Sequence, residues 1–318
     1  MINDLEDYNP IGLKGDYLYM SETSGIGVHG ISVLNLKNKK ITSIIPNDCH
    51  SILNAMTSLN NPIPYAAGME CDGKKEIIYF DQDNRDAQIL SQLAPSFPDK
   101  TVSLGNWTDA NDRALLIISD SSVVQEVFLL DLKQGALKPI GRTSNVPKDR
   151  LHKMVSKKFT TRDGENIYGY LTMPKGEVER LIVYIHGGPY GIRDFDSYDF
   201  SEQYLASKGA AILKVNYRGS GGYGTNFMED AYKEWGGRLL NDIADATKAV
   251  QQELGIGREQ TCAFGASYGG YAALAMAYKH SELYECVAGG MGVYDLSLIH
   301  NLRCRRSTLC RSRWSPYH

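Results

Sequence analysis

The sequence predicts an α/β fold, a doubly wound and mostly parallel sheet, preceded by a partial all-β region. Three observations predict it. Short apolar runs alternate with helical stripes from about residue 159 to residue 295. One of those runs meets a helix across Gly265-Ala266-Ser267-Tyr268-Gly269-Gly270. Before them, short strand-like runs are separated by Gly, Asn and Asp turns.

The N-terminal runs are Asp16–Met20, Gly30–Leu36, Lys75–Phe80, Ala114–Ser119 and Glu126–Leu132, with turns at Asp72-Gly73 and Gln134-Gly135. Two of them end alike, in Leu34-Asn35-Leu36-Lys37 and Leu130-Asp131-Leu132-Lys133, a weak repeat of the kind bladed architectures give. There is room for two to three blades, whereas a closed propeller takes at least four.

Leu181–Ile185 is a continuous apolar run, expected to be a parallel strand buried on both faces. Asp196–Lys208 has the mixed pattern of a helix, and Gly209 stands where a C-cap belongs. Ala211–Tyr217 is the next strand. Arg238–Leu254 spaces Leu239, Ile243, Ala246, Val250 and Leu254 along one helical face, and Gly255 stops it. Gln260–Phe264 is a short buried strand, Tyr271–His280 an Ala-rich helix, and Cys286–Gly290 the strand after it.

Strand, tight turn with Ser267 at its apex, then helix is the context in which Gly-x-Ser-x-Gly reads as a nucleophile elbow. The serine must adopt a strained backbone, and glycines at 265 and 269 remove Cβ atoms that would collide. The plain alternative is a Gly-rich turn with an incidental serine. A hydrolytic serine also needs donors aimed at the developing oxyanion. The Tyr268 amide is one candidate. Gly188, in His186-Gly187-Gly188-Pro189-Tyr190-Gly191 after the Leu181–Ile185 strand, is the other. His186 is expected to buttress that loop rather than act as base. Arg218-Gly219-Ser220-Gly221-Gly222 lacks the ending of a phosphate-binding loop and is expected to be a shaped turn near the site.

Together, His186-Gly187-Gly188-Pro189, Asn216–Gly224, Trp235-Gly236-Gly237 and Gly265–Tyr271 resemble the prolyl oligopeptidase family of serine peptidases, nearest its acylaminoacyl-peptidase and dipeptidyl-peptidase-like branch. Phe159–Gly164 and Tyr168–Pro174 look like the entry to that family's hydrolase domain, so the resemblance covers about Phe159 to Asp295. It implies an α/β-hydrolase domain capped by a β-propeller that admits short peptides. It also implies Ser267 as nucleophile, with the amides of Tyr268 and Gly188 as the oxyanion hole. No metal or organic cofactor is implied. Two rival readings are a carboxylesterase of the same fold and a catalytically silent propeller that binds a partner.

Triad order in this fold is serine, acid, histidine. His280 is expected at a helix C-terminus, where a cation suits the dipole, and too near in sequence to fold back onto Ser267. Asp295 comes one strand too early for the acid, and Asp242 and Asp245 on the preceding helix are read as structural. From Leu296 the composition changes: Arg303, Arg305, Arg306, Arg311 and Arg313 occur with no acidic residue. Leu296–His300 and Cys310–His318 back-translate to runs resembling a transposon-type sequencing adapter. Residues 296–318, with His300 and His318, are therefore expected to be adapter read-through. A basic tail for nucleic acid or membrane is the competing reading, but it has no apolar or aromatic periodicity. The expected organisation is 1–150, a partial propeller; 151–295, the N-terminal part of a hydrolase domain lacking its acid and base; and 296–318, a non-native tail. A chain so cut is expected to be inactive by itself.

Without those five arginines the net charge moves from −3 to −8, a mildly acidic chain with no electrostatic case for nucleic acid. Cys49, Cys71, Cys262 and Cys286 show no CxxC spacing and are expected to be free thiols, the last two as inert strand filling. No run has transmembrane length, and Met1–Asp7 is unlike a secretory signal, so a cytoplasmic location and no membrane partner are expected.

Overall fold

The computed structural model describes residues 8–24, 27–45, 52–58, 61–71, 74–98, 100–121 and 123–294. Met1–Asp7, the turn at Asp72-Gly73, Asp295 and the whole of 296–318 lie outside them.

The N-terminal part builds three sheets in which strand order follows the chain. β1 (Tyr8–Lys14), β2 (Tyr17–Ser24), β3 (Gly27–Asn35) and β4 (Ile41–Ile45) form the first; β5 (Ile52–Ser58), β6 (Asn61–Cys71) and β7 (Lys74–Tyr79) the second. A helix, α1 (Arg85–Leu93), precedes the third, made of β8 (Thr101–Trp107), β9 (Arg113–Asp120), β10 (Val123–Asp131) and β11 (Ala136–Arg142). All neighbours pair antiparallel. In β9, Ala114, Leu116 and Ile118 alternate inward, the period-two pattern of a strand with one buried face. All five strand-like runs named from the sequence are strands. Unforeseen is α1, which Asn84 caps by accepting from the amides of Asp86 and Ala87 and which buries Leu90.

The second part is one six-stranded sheet: β12 (Met154–Thr160), β13 (Asn166–Thr172), β14 (Arg180–Ile185), β15 (Ala210–Asn216), β16 (Thr261–Ala266) and β17 (Cys286–Gly290), in the order β12-β13-β15-β14-β16-β17. The pairs β14–β15, β14–β16 and β16–β17 are parallel, and β12 and β13 add an antiparallel edge. The helices are α2 (Phe200–Ala206), α3 (Thr225–Glu229), α4 (Arg238–Leu254) and α5 (Tyr268–Lys279). The α4 stripe expected from the sequence is the buried one: Leu239, Ile243, Ala246 and Val250 join Leu181, Val183, Ala263 and Met276 in one core. Gly255 ends α4 in the left-handed conformation, φ 66°.

Three expectations are corrected. The helix expected from Asp196 begins only at Phe200, capped by the Asp199 carboxylate on Glu202 N at 2.9 Å. Asp196 instead ties the two parts together, pairing with Lys75 Nζ at 2.9 Å and accepting from Ser121 N at 3.2 Å. β14 is not buried on both faces: Leu181, Val183 and Ile185 are buried, whereas Ile182 and Tyr184 are only partly covered. The strand buried at every position is its neighbour β15. Finally, Cys262 and Cys286 are not free thiols. They are register partners on β16 and β17, with Cα atoms 4.7 Å apart, and form a disulfide. Their 24-residue separation gives no hint of this, because the sheet order alone makes them neighbours. Cys49 and the side chain of Cys71 lie outside the described part.

β15 also buries a charge. Lys214 Nζ meets Glu202 Oε2 of α2 at 2.6 Å, with both side chains under a tenth exposed, and Thr172 Oγ1 donates to the same carboxylate.

Candidate active site

Ser267 joins β16 directly to α5 with φ 58° and ψ −125°, a left-handed conformation that costs a non-glycine residue energy. Its amide donates to Gly290 O of β17 at 3.0 Å, and the residue is exposed. The glycines around it are obligatory for contact reasons. A Cβ on Gly265 would lie 2.7 Å from Ile185 O, and one on Gly269 would lie 2.8 Å from His186 O and closer still to Ile185 O. The turn is thus pressed against the end of β14, where the second loop begins.

That loop passes beside the serine. A Cβ on Gly187 would stand 3.4 Å from Ser267 Cβ and 3.8 Å from its Oγ, so Gly187 backbone lies against the side chain. Gly188 is next, at φ 121°, a region closed to residues with a Cβ. The Tyr268 amide opens α5 on the other side of Ser267, at a helix N-terminus where main-chain N–H groups lack intrahelical partners.

His186 holds the loop from behind. Its ring stacks on Tyr217 with centroids 4.3 Å apart, Nδ1 lies 2.8 Å from Gly187 O, and Nε2 lies 3.0 Å from Ser220 Oγ. Burial lowers its pKa to about 4, so the ring is neutral; Nδ1–H donates to Gly187 O and Nε2 accepts from the serine hydroxyl. Gly187 O and Gly188 N share one peptide plane, which the imidazole thereby orients.

The Arg218–Gly222 turn braces the same loop. Gly191 N donates to Gly219 O at 2.9 Å, Gly221 N donates to Ile192 O at 3.1 Å, and a Cβ on Gly221 would lie 3.0 Å from Gly191 C. Arg218 anchors the turn, donating to Asp242 at 2.6 and 3.0 Å and to Asp163 at 2.6 Å. That guanidinium holds the Asp163 carboxyl down at about 2. Asp245 pairs with Arg162 at 2.7 Å. Both helix aspartates are therefore structural, as read from the sequence.

His280 lies at the far end of α5, with Nε2 3.2 Å from Asn241 Oδ1 and Nδ1 3.6 Å from Glu282. It does not sit there as an exposed cation: burial lowers its pKa. Neither His186 nor His280 has a ring nitrogen left for Ser267. Missed by sequence reasoning is the aromatic cluster behind the elbow. Tyr268 is fully buried; its hydroxyl donates to Trp235 O at 2.8 Å, and its ring meets that of Trp235 edge-on. The sequence signal for it is Trp235-Gly236-Gly237, one of the motifs that carry the resemblance.

Among the described residues no three His, Cys, Asp or Glu side chains are grouped to hold a metal, and no helix is long and apolar enough to cross a membrane.

The profile of the Prolyl oligopeptidase family matches residues 196–303. Dipeptidyl aminopeptidase BIII of Pseudoxanthomonas mexicana is 31% identical over 151 residues, 44% of this chain and 22% of that protein. Among solved structures, prolyl oligopeptidase B from Galerina marginata superposes with a TM-score of 0.70 at 18% identity, over 92% of this chain and 42% of that one. A puromycin-hydrolysing peptidase of Mycobacterium tuberculosis gives 0.66 at 18% identity, over 91% and 45%. The chain thus spans about a fifth of the length of that sequence relative and under half of each solved structure. With the turn and both loops found in one place, residues 196–303 are thus similar to the Prolyl oligopeptidase family of serine peptidases, and the solved structures share its fold.

Proposed function

We propose that the protein carrying this chain hydrolyses short peptides by acyl transfer, with Ser267 as nucleophile. Ser267 Oγ attacks the scissile carbonyl carbon and loses its proton to a histidine. The carbonyl oxygen becomes an oxyanion held by the amides of Tyr268 and Gly188. Collapse expels the amine, which takes the proton from the histidine, and water then cleaves the acyl-serine ester. The observation that carries this reading is the exposed Ser267 at φ 58° with Gly187 backbone lying against it.

The base and its orienting acid are proposed to come from outside the described residues, since His186 and His280 are engaged elsewhere. The three N-terminal meanders are proposed as consecutive propeller blades restricting entry to short peptides. Dipeptidyl, aminoacyl and acylaminoacyl p-nitroanilides, assayed with the complete gene product, test the proposal. Hydrolysis abolished by Ser267→Ala supports it; hydrolysis untouched by Ser267→Ala refutes it. Turnover of p-nitrophenyl esters alone would favour the carboxylesterase, and loss of all turnover with retained peptide binding the silent module. The 318-residue chain by itself is expected to show negligible turnover.

A further inference from the structure

Trp235 is bonded to both sides of the serine. Its carbonyl accepts from the Tyr268 hydroxyl at 2.8 Å, and Tyr268 is the residue whose amide follows Ser267. Its indole Nε1–H donates to the Tyr190 hydroxyl at 3.1 Å, and Tyr190 stands two residues after Gly188. The Tyr190 hydroxyl in turn donates to Ala231 O at 3.2 Å, so the link is anchored on the segment that carries Trp235. The Tyr268 and Trp235 rings meet at 79° with centroids 5.1 Å apart, which fixes the spacing by packing as well as by hydrogen bonds.

We infer that Trp235 is a positioning residue that sets the distance between the two main-chain donors of the oxyanion hole, an inference that rests on the peptidase reading above. The Gly188 loop and the α5 N-terminus belong to different crossovers of the sheet. β14 and β16 pair in register up to Ile185 and Gly265, and no ladder continues beyond those residues. Past that point the Gly187 and Gly269 backbone contacts bring the two loops together, and Trp235 adds a side-chain link that reaches both. It touches no reacting atom; it acts through Tyr268 and Tyr190.

Two measurements test this on Trp235→Phe, which keeps an aromatic ring and the main-chain carbonyl but loses the indole N–H and part of the ring system, with Tyr190→Phe as the variant that breaks the same link without shrinking the indole. Hydrogen exchange on the 318-residue chain should quicken at 186–192 and at 266–272 together, and Tyr190→Phe should reproduce the pattern. In the complete gene product, kcat for the p-nitroanilide it cleaves should fall about tenfold with KM within about twofold, since sub-ångström misplacement acts on the transition state. The Trp235→Phe/Tyr190→Phe double variant should be no worse than either single, because both break one link. Exchange confined to residues near 235, an unchanged kcat, or additive losses would each overturn the inference. Full activity in Ser267→Ala would instead refute the peptidase reading, and this inference with it.

Discussion

Replacing Gly269 with alanine should disable the fold and the site together. The new methyl would sit 2.8 Å from His186 O and closer to Ile185 O, both main-chain atoms at the end of β14. Carbon–oxygen contacts normally begin near about 3.3 Å, so the α5 N-terminus and β14 must part by ~0.5 Å at His186 and by more at Ile185. Overpacking costs about 1–3 kcal/mol where side chains yield. Here only backbone faces the methyl, which places the cost at roughly 3 kcal/mol. For a chain of this size each kcal/mol is worth about 2–4 °C, so the thermal midpoint should fall by roughly 10 °C. Gly176→Ala is the control, because a Cβ there meets nothing within 4 Å. Circular-dichroism melts of both variants against the parent measure the difference. If Gly269→Ala melts with Gly176→Ala and the parent, the close approach of turn and strand is not what this region depends on.

Between pH 4 and 7 the contributions of His186 and Asp194 should oppose each other in the parent, and the His186 slope should be exposed in Asp194→Asn. His186, held neutral by burial at about 4 against a usual 6.5, contributes stability that is present above 6.5 and lost on acidification through that window, roughly 3 kcal/mol in all. Asp194, whose Oδ2 is buried without a partner, is raised by burial to about 6 from 3.8 although Lys214 and Arg193 oppose the shift. It acts the other way: stability is lost as pH rises from about 4 to 6, again by roughly 3 kcal/mol, and the two slopes cancel where they overlap. Urea midpoints of Asp194→Asn should therefore fall steadily from pH 7 to 4.5; a level profile would refute the account. Lys214→Met leaves Glu202 charged and buried and should cost about 3–5 kcal/mol, whereas Lys214→Met/Glu202→Leu should recover most of it. Urea denaturation at pH 7 checks both, and a single variant as stable as the double would contradict the pairing.

Elements with a strong local signal were legible from the residues alone. The α4 stripe from Arg238 to Leu254 and the β17 run from Cys286 to Gly290 have the bounds read from the sequence, because periodicity and a terminal glycine carry them. The elbow was legible because Gly-x-Ser-x-Gly between a strand and a helix is a recognisable pattern, although the contacts that require Gly265 and Gly269 are with Ile185 and His186 at the end of β14. What escaped depends on distant partners. Asp196, Ser197 and Tyr198 have helical composition but precede α2, because the Asp196 carboxylate is held by Lys75 and by Ser121 N. The half-open face of β14 follows from where the helices lie, which no feature of Leu181–Ile185 records. Trp235 likewise reads as one more aromatic until Tyr190 and Tyr268 are seen on either side of it.

The Cys262–Cys286 staple makes the outermost described strand a covalent dependant of the strand that delivers the nucleophile. Because Gly290 O on that outer strand receives the Ser267 amide, anything that detaches β17 also lets go of the turn. Thiol oxidation is a matter of compartment, since reducing surroundings keep cysteines apart. Biogenesis of the site is thereby linked to where in the cell, or outside it, the polypeptide matures.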